Sequence, residues 1–244
     1  MSRLGSWLVA TVLLMLAAPA AAQSVTVDLG PGGGVTGQIL RLVLLVTVLS
    51  VAPSILIMVT SFTRIVIVLS FLRTAIGLQQ TPPNAVLVSL ALFLTGFVMM
   101  PTFEAAWRDG IGPLLEQQIG ETAALERASA PVRDFMLKQV REKDLGLFIE
   151  MSGVPVPEEP SATPLQVLVP AFMISELRRA FEIGFLIFVP FLVIDMVVAA
   201  ILMSLGMMML PPVMISLPFK LIFFVLVDGW ALVVGSLVQS FGVG

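Results

Sequence analysis

Three ionisable side chains stand in or at the edge of long apolar runs: Asp195 and Asp228 lie within them, and Lys220 opens one. A charge in such surroundings is costly unless it is paired or wet, so each is a candidate for function. The chain has neither histidine nor cysteine. That removes thiolate nucleophiles, disulfides, imidazole bases and the usual zinc and haem ligands together. An intramembrane hydrolase would be left with a Ser–Lys arrangement or with paired Asp195 and Asp228, and no supporting motif surrounds either aspartate. A proton-coupled small-solute transporter could use the same three charges, but transporters often show related halves and none is evident here. No enzymatic activity, cofactor or metal is expected. A third use of the charges is structural. Asp195 and Lys220 lie at similar distances on either side of "SLGMMMLPP" (residues 204–212), so a chain that reverses there sets them on facing arms. They then form an ion pair across the turn or between subunits, or else Lys220 snorkels to the interface while Asp195 faces a wet crevice. Asp228 has no evident mate.

The elements that carry these residues are set by hydropathy. Hydrophobic residues make up 58% of the 244, charged residues only 12%, about half the share of a soluble domain. The apolar runs are too long for a soluble core, so lipid is the expected solvent for much of the chain. The net charge of −3, without a basic stripe, gives no footprint for nucleic acid. Residues 1–22 read as a cleaved signal peptide: Arg3, an apolar stretch to Leu16, then Ala20-Ala21-Ala22 before Gln23. The alternative is an uncleaved anchor helix, for which that stretch is short. A glycine-rich linker follows (23–40).

The remainder predicts an all-α, integral-membrane type of protein: two kinked helical hairpins (41–101 and 181–244) around a helical periplasmic insert (102–180). The first run, 42–62, contains Pro53 and continues past Arg64 as one kinked helix. "TPPN" turns the chain into the second run, 85–101. The third run, 183–205, is interrupted by Pro190, and the fourth covers 221–241. Arg64 and Arg73 serve the first tip as cytoplasmic-side anchors, with Lys220 at the second tip, by the positive-inside rule. In the insert, Ser129 predicts a cap for a helix with Pro131 in its first turn, and Val132, Phe135, Met136 and Val140 form its apolar face. In "SELRRAFE", Glu176 can meet Arg179 and Arg178 can meet Glu182. The result is either a self-neutralised helix end or a subunit-contact patch.

"PAFMISELRRAFEIGF" (170–185), "MSLGMMMLPPVMISLPFKLIFF" (203–224) and the stretch from Leu56 to Thr95 closely resemble the hallmark segments of the FliP family. Its members are core subunits of the flagellar type III export gate, which passes unfolded flagellar proteins across the bacterial inner membrane within the basal body. The resemblance implies several copies of the chain assembled with FliQ and FliR, beside FlhB and the basal-body ring, into a helical, cone-like complex contacting lipid. It also implies that methionine-rich loops of neighbouring copies meet on the axis as a gasket, here Met207, Met208 and Met209, with Gly206, Pro211 and Pro212 shaping the loop. The family's charged residues fall on Asp195 and Lys220. Methionine suits such a seal, being unbranched, flexible and polarizable, and apolar constrictions gate by dewetting. Without the resemblance, filler at a buried turn would be the better reading of the triplet.

Overall fold

A computed structural model describes residues 35–153, 155, 159–207 and 209–242. The stretch read as a signal peptide, most of the stretch read as linker, and Met208 lie outside the described residues. The described residues are helical, with no strand among them. The chain divides after Ser50 into two units. What is described of the first is the beginning of α1 (Val35–Val59), whose described side chains from Ile39 to Ser50 are all exposed. That helix starts inside the stretch read as linker.

The second unit is organised around α2 (Phe62–Ile76). Phe62, Ile65, Val68, Leu69, Leu72, Ala75 and Ile76 recur at three- and four-residue steps and are all buried. They meet Leu87, Ala91 and Val98 of α3 (Asn84–Ala106) and Ala180, Phe191 and their neighbours on α7 (Leu165–Ser204). The expected single helix kinked at Pro53 is instead two helices. α1 runs through Pro53, and the break falls at Thr60–Ser61. Hydroxyl groups there take up freed backbone partners: Thr63 Oγ1 donates to the Ile57 carbonyl at 3.1 Å, and the Phe62 N–H donates to Thr60 Oγ1 at 3.4 Å.

A π-helical turn, Trp107–Ile111, and the short α4 (Gly112–Leu115) lead from α3 into α5 (Glu121–Gln139) and α6 (Glu142–Ser152). The expected helix start at Ser129 is not found. α5 begins at Glu121 because "ETAALERASA" is rich in strong helix formers, and Pro131 sits in its interior. Ser129 is no cap; its Oγ donates back to the Glu126 carbonyl at 2.9 Å. The apolar face of α5 packs as its spacing requires, with Met136, Val132, Phe135 and Val140 against Leu168 and Phe172 of α7.

α7 is one helix of 40 residues that passes both Pro170 and Pro190 without ending. The turn after Pro190 is held by packing, since Phe191 lies with Leu72, Ala75, Ile76 and Phe224. The last apolar run is not continuous. α8 (Pro212–Leu226) and α9 (Gly229–Gln239) meet at a 64° bend. Lys220 therefore lies inside α8 rather than at the opening of a span. By length and apolarity Leu42–Val59, Asn84–Leu115 and Leu165–Ser204 can each cross a membrane, and α8 with α9 can form a fourth, broken span.

An interior proline costs its helix a hydrogen bond to the carbonyl one turn back, here that of Arg127. Pro131→Ala should therefore stabilise α5 by about 1–3 kcal/mol, read as slower amide exchange across residues 127–135. Had Pro131 occupied a first turn, the exchange there would not change.

Candidate functional site

The methionine loop is built from its two flanking helices. α7 closes with a paired cap: the Gly206 N–H donates to the Met203 carbonyl at 3.1 Å and the Met207 N–H to the Leu202 carbonyl at 2.9 Å. This motif requires a left-handed residue, and Gly206 supplies it with φ +73°. At the far side Pro211 and Pro212 open α8, where the missing N–H groups are not needed. Between these fixed ends Met207 is 43% exposed and Met209 98% exposed, flanked by exposed Met203, Leu205, Leu210, Val213 and Met214. The tip is thus not filler for this chain's own core. Among the described residues nothing covers this apolar cluster.

Two buried charge clusters hold the arms. In the first, Lys220 Nζ lies 2.7 Å from Asp195 Oδ2, tying α8 to α7, and reaches the Ala75 carbonyl in the last turn of α2 at 3.4 Å. Ser216 Oγ donates to the other carboxylate oxygen of Asp195. The Lys220 side chain is only 5% exposed, so it does not snorkel.

The second cluster surrounds Arg64, whose side chain is 1% exposed and faces a fully buried Glu176. Arg64, expected as a cytoplasmic-side anchor, is instead buried and paired within the chain. Nε donates to Glu176 Oε2 at 2.8 Å and Nη2 to Glu176 Oε1, forming a forked pair. Nη2 also donates to Gln139 Oε1 at 3.0 Å, and Nη1 to the carbonyl and hydroxyl of Ser240 at 3.1 and 3.0 Å. The guanidinium stacks 3.7 Å from the centre of the Phe241 ring. Four segments of the chain are joined on one cation: α2, α5, α7 and the residues after α9. A charge removed from water is tolerable only when its hydrogen-bonding capacity is filled in this way.

Glu176 consequently does not meet Arg179, as helical spacing allowed. Arg179 instead donates to Gln139 Oε1 at 2.9 Å. Arg178 and Glu182 do pair, at 2.8 Å, on an exposed face. Arg73 is half-buried, donating to Asn84 Oδ1 at 2.6 Å and to the Pro82 carbonyl at 3.2 Å. A third cluster joins α6 to α7: Asp144 accepts from Arg141 at 2.7 Å and from Ser175 Oγ at 2.6 Å. Burial pushes the Asp144 carboxyl up, but the Ser175 hydroxyl and the Arg141 guanidinium outweigh it and hold the group below the ordinary aspartate range. Among the described residues no three His, Cys, Asp or Glu side chains gather as a metal site.

The chain is similar to known proteins over most of its length. The FliP family profile matches residues 45–237. The chain belongs to the FliP family. The flagellar biosynthetic protein FliP of Caulobacter vibrioides is 64% identical over 228 residues, which cover 93% of this chain and 86% of that protein. The Bacillus subtilis protein of the same name is 58% identical over 201 residues, covering 82% of this chain and 91% of the relative. That of Aquifex aeolicus is 46% identical over 233 residues, covering 95% and 98%. The span of the FliP match contains the methionine loop, Arg64, Glu176, Asp195 and Lys220, whereas Ser240 and Phe241 lie beyond it.

Sequence reasoning missed Gln139, Ser240 and Phe241 as partners of Arg64, and Ser216 beside Asp195. The first three lie 75, 176 and 177 positions from Arg64, and no local spacing links residues so distant. One signal was available: Arg64 sits between two apolar stretches, with no acid from Leu42 to Pro101 to neutralise it.

Arg64→Met alone should cost roughly 3–5 kcal/mol by leaving Glu176 buried and uncompensated, and adding Glu176→Leu should recover most of that loss. Thermal unfolding of the detergent-solubilised chain reads both. The Asp144 contribution has the opposite sensitivity to most histidine switches. Its folded pKa is depressed, so its stabilisation is complete above the ordinary aspartate range and drains as pH falls through the lower folded value. Amide exchange in α6 should accelerate in that acid window only, and Asp144→Asn should remove the pH dependence.

Proposed function

We propose that this chain is a channel-forming core subunit of the flagellar type III export gate, non-catalytic, passing unfolded flagellar proteins across the bacterial inner membrane. In this reading several copies join FliQ and FliR, beside FlhB and the basal-body ring. The leader at residues 1–22 is removed, and the loop tips meet on a common axis as a gasket.

The observation that carries the reading is the loop itself. A chain of the FliP family presents Met207 and Met209 outward from a turn fixed by a glycine cap and two prolines. An exposed tip of this kind has no use in water and a clear use in a seal. When idle, it must exclude ions by presenting an apolar, dewetted constriction. When working, it must yield around any side chain that passes, and methionine yields more readily than branched residues because each of its bonds rotates. The Asp195–Lys220 pair supports the same reading by fixing α7 against α8, so that compliance is confined to the tip.

Replacing Met207, Met208 and Met209 together with alanine should open the idle gate. Membrane conductance to small ions in expressing cells should rise severalfold, while the assembled particle is still recovered. Conductance equal to that of the unsubstituted gate would count against the gasket.

A further inference from the structure

Asp228 is the one charge in the apolar runs that the clusters above do not absorb. It forms the elbow between α8 and α9, with φ +50° and ψ +51°, a left-handed conformation that few residues other than glycine, asparagine and aspartate adopt. Its backbone is fully used. The N–H donates to the Val225 carbonyl at 3.1 Å, and its own carbonyl accepts from the Leu232 N–H at 3.1 Å. The carboxylate is exposed and idle. An aspartate preceding a helix ordinarily turns its side chain onto the first N–H groups, yet Asp228 makes no such bond, and among the described residues no cation of this chain reaches it.

The elbow's surroundings are apolar. Val225 is 75% and Leu226 79% exposed, with Trp230 and Leu232 exposed just beyond. The bend is also tight: a Cβ on Gly229 would come within 2.1 Å of the Phe224 ring, so only glycine fits there. The elbow therefore projects one negative charge from a greasy surface. Neither lipid tails nor an apolar protein face can satisfy it, and the chain's other arginines and lysines in the apolar helices whose side chains are described are already paired or hydrogen-bonded.

We propose that Asp228 receives a lysine or arginine side chain from a neighbouring protein subunit, docked on the apolar surface of Val225, Leu226, Trp230 and Leu232. The surface is a charge-keyed contact: the aliphatic and indole groups supply area, and the carboxylate sets register by rejecting any partner that lacks the cation. This rests on the reading of the chain as one subunit of an export assembly.

The test separates charge from backbone. Asn and Gly both tolerate the left-handed elbow but remove the charge, so Asp228→Asn and Asp228→Gly leave a purely conformational role intact. The chain is co-expressed with FliQ and FliR, and the detergent-solubilised particle is sized by native mass spectrometry at fixed protein and detergent concentration. Each variant should lower the assembled fraction by about tenfold or more, as expected for a desolvated charge left without its mate, and Asp228→Lys should lower it further. Basic-to-acidic substitutions that restore assembly to Asp228→Lys then identify the partner. Restoration from within this chain assigns the cation to a second copy, and restoration from another subunit assigns it there. Assembly of Asp228→Asn at the level of the unsubstituted chain would overturn the proposal, and Asp228→Gly decides the matter if the asparagine variant does not fold. If the unsubstituted chain itself yields only lone molecules, the export-gate reading fails. If it assembles and the asparagine variant assembles equally, only the Asp228 contact fails.

Discussion

A guanidinium group cannot give up its charge at any pH a protein survives, so burying one obliges the fold to answer it. Arg64 is answered by a carboxylate from α7, an amide from α5, a hydroxyl and carbonyl after α9, and the face of a phenyl ring. None of these segments can move away without stranding a cation in an apolar interior. Hydrophobic packing around α2 is tolerant of small slips, because one methyl contact replaces another. The forked contact between Arg64 and Glu176 is not, since it demands one distance and one plane. The polar cluster therefore sets the register that the apolar contacts then fill.

The Asp195–Lys220 contact repeats this logic nearer the loop, at lower stakes. Asp195 keeps a quarter of its side-chain surface open, and the ammonium group borrows a carbonyl from the end of α2. A carbonyl in a helix's last turn has no partner within its own helix. The pair thus solves two problems together: it neutralises two intrusive charges and occupies an orphaned acceptor. Beyond it the side chains on the outer faces turn apolar and exposed, and the loop ends in methionine.

Much of this was legible in the residues. The apolar runs, the helical class, the facing of Asp195 and Lys220 and the inward face of α5 follow from spacing and hydropathy, which act locally. The misreadings share one cause. Pro53, Pro131 and Pro190 invite breaks, yet each lies within a helix, and after Pro190 the turn is held by packing of Phe191. Arg64 and Glu176 each had plausible local roles, one as a cytoplasmic-side anchor and the other as half of a pair with Arg179. Their true partners sit on other helices, and one sequence carries no record of which distant residues touch.

α7 has a further consequence through its length. Forty residues at about 1.5 Å each make a rod of roughly 60 Å, against a hydrocarbon layer of about 30 Å. To hide such a rod in lipid alone would take a tilt of about 60°, and spanning helices rarely exceed about 40°. Greasy side chains nevertheless face outward along most of it, from Leu165 to Met203. A belt of lipid or surfactant can clothe only part of that flank. A preparation of single chains will be stickiest there.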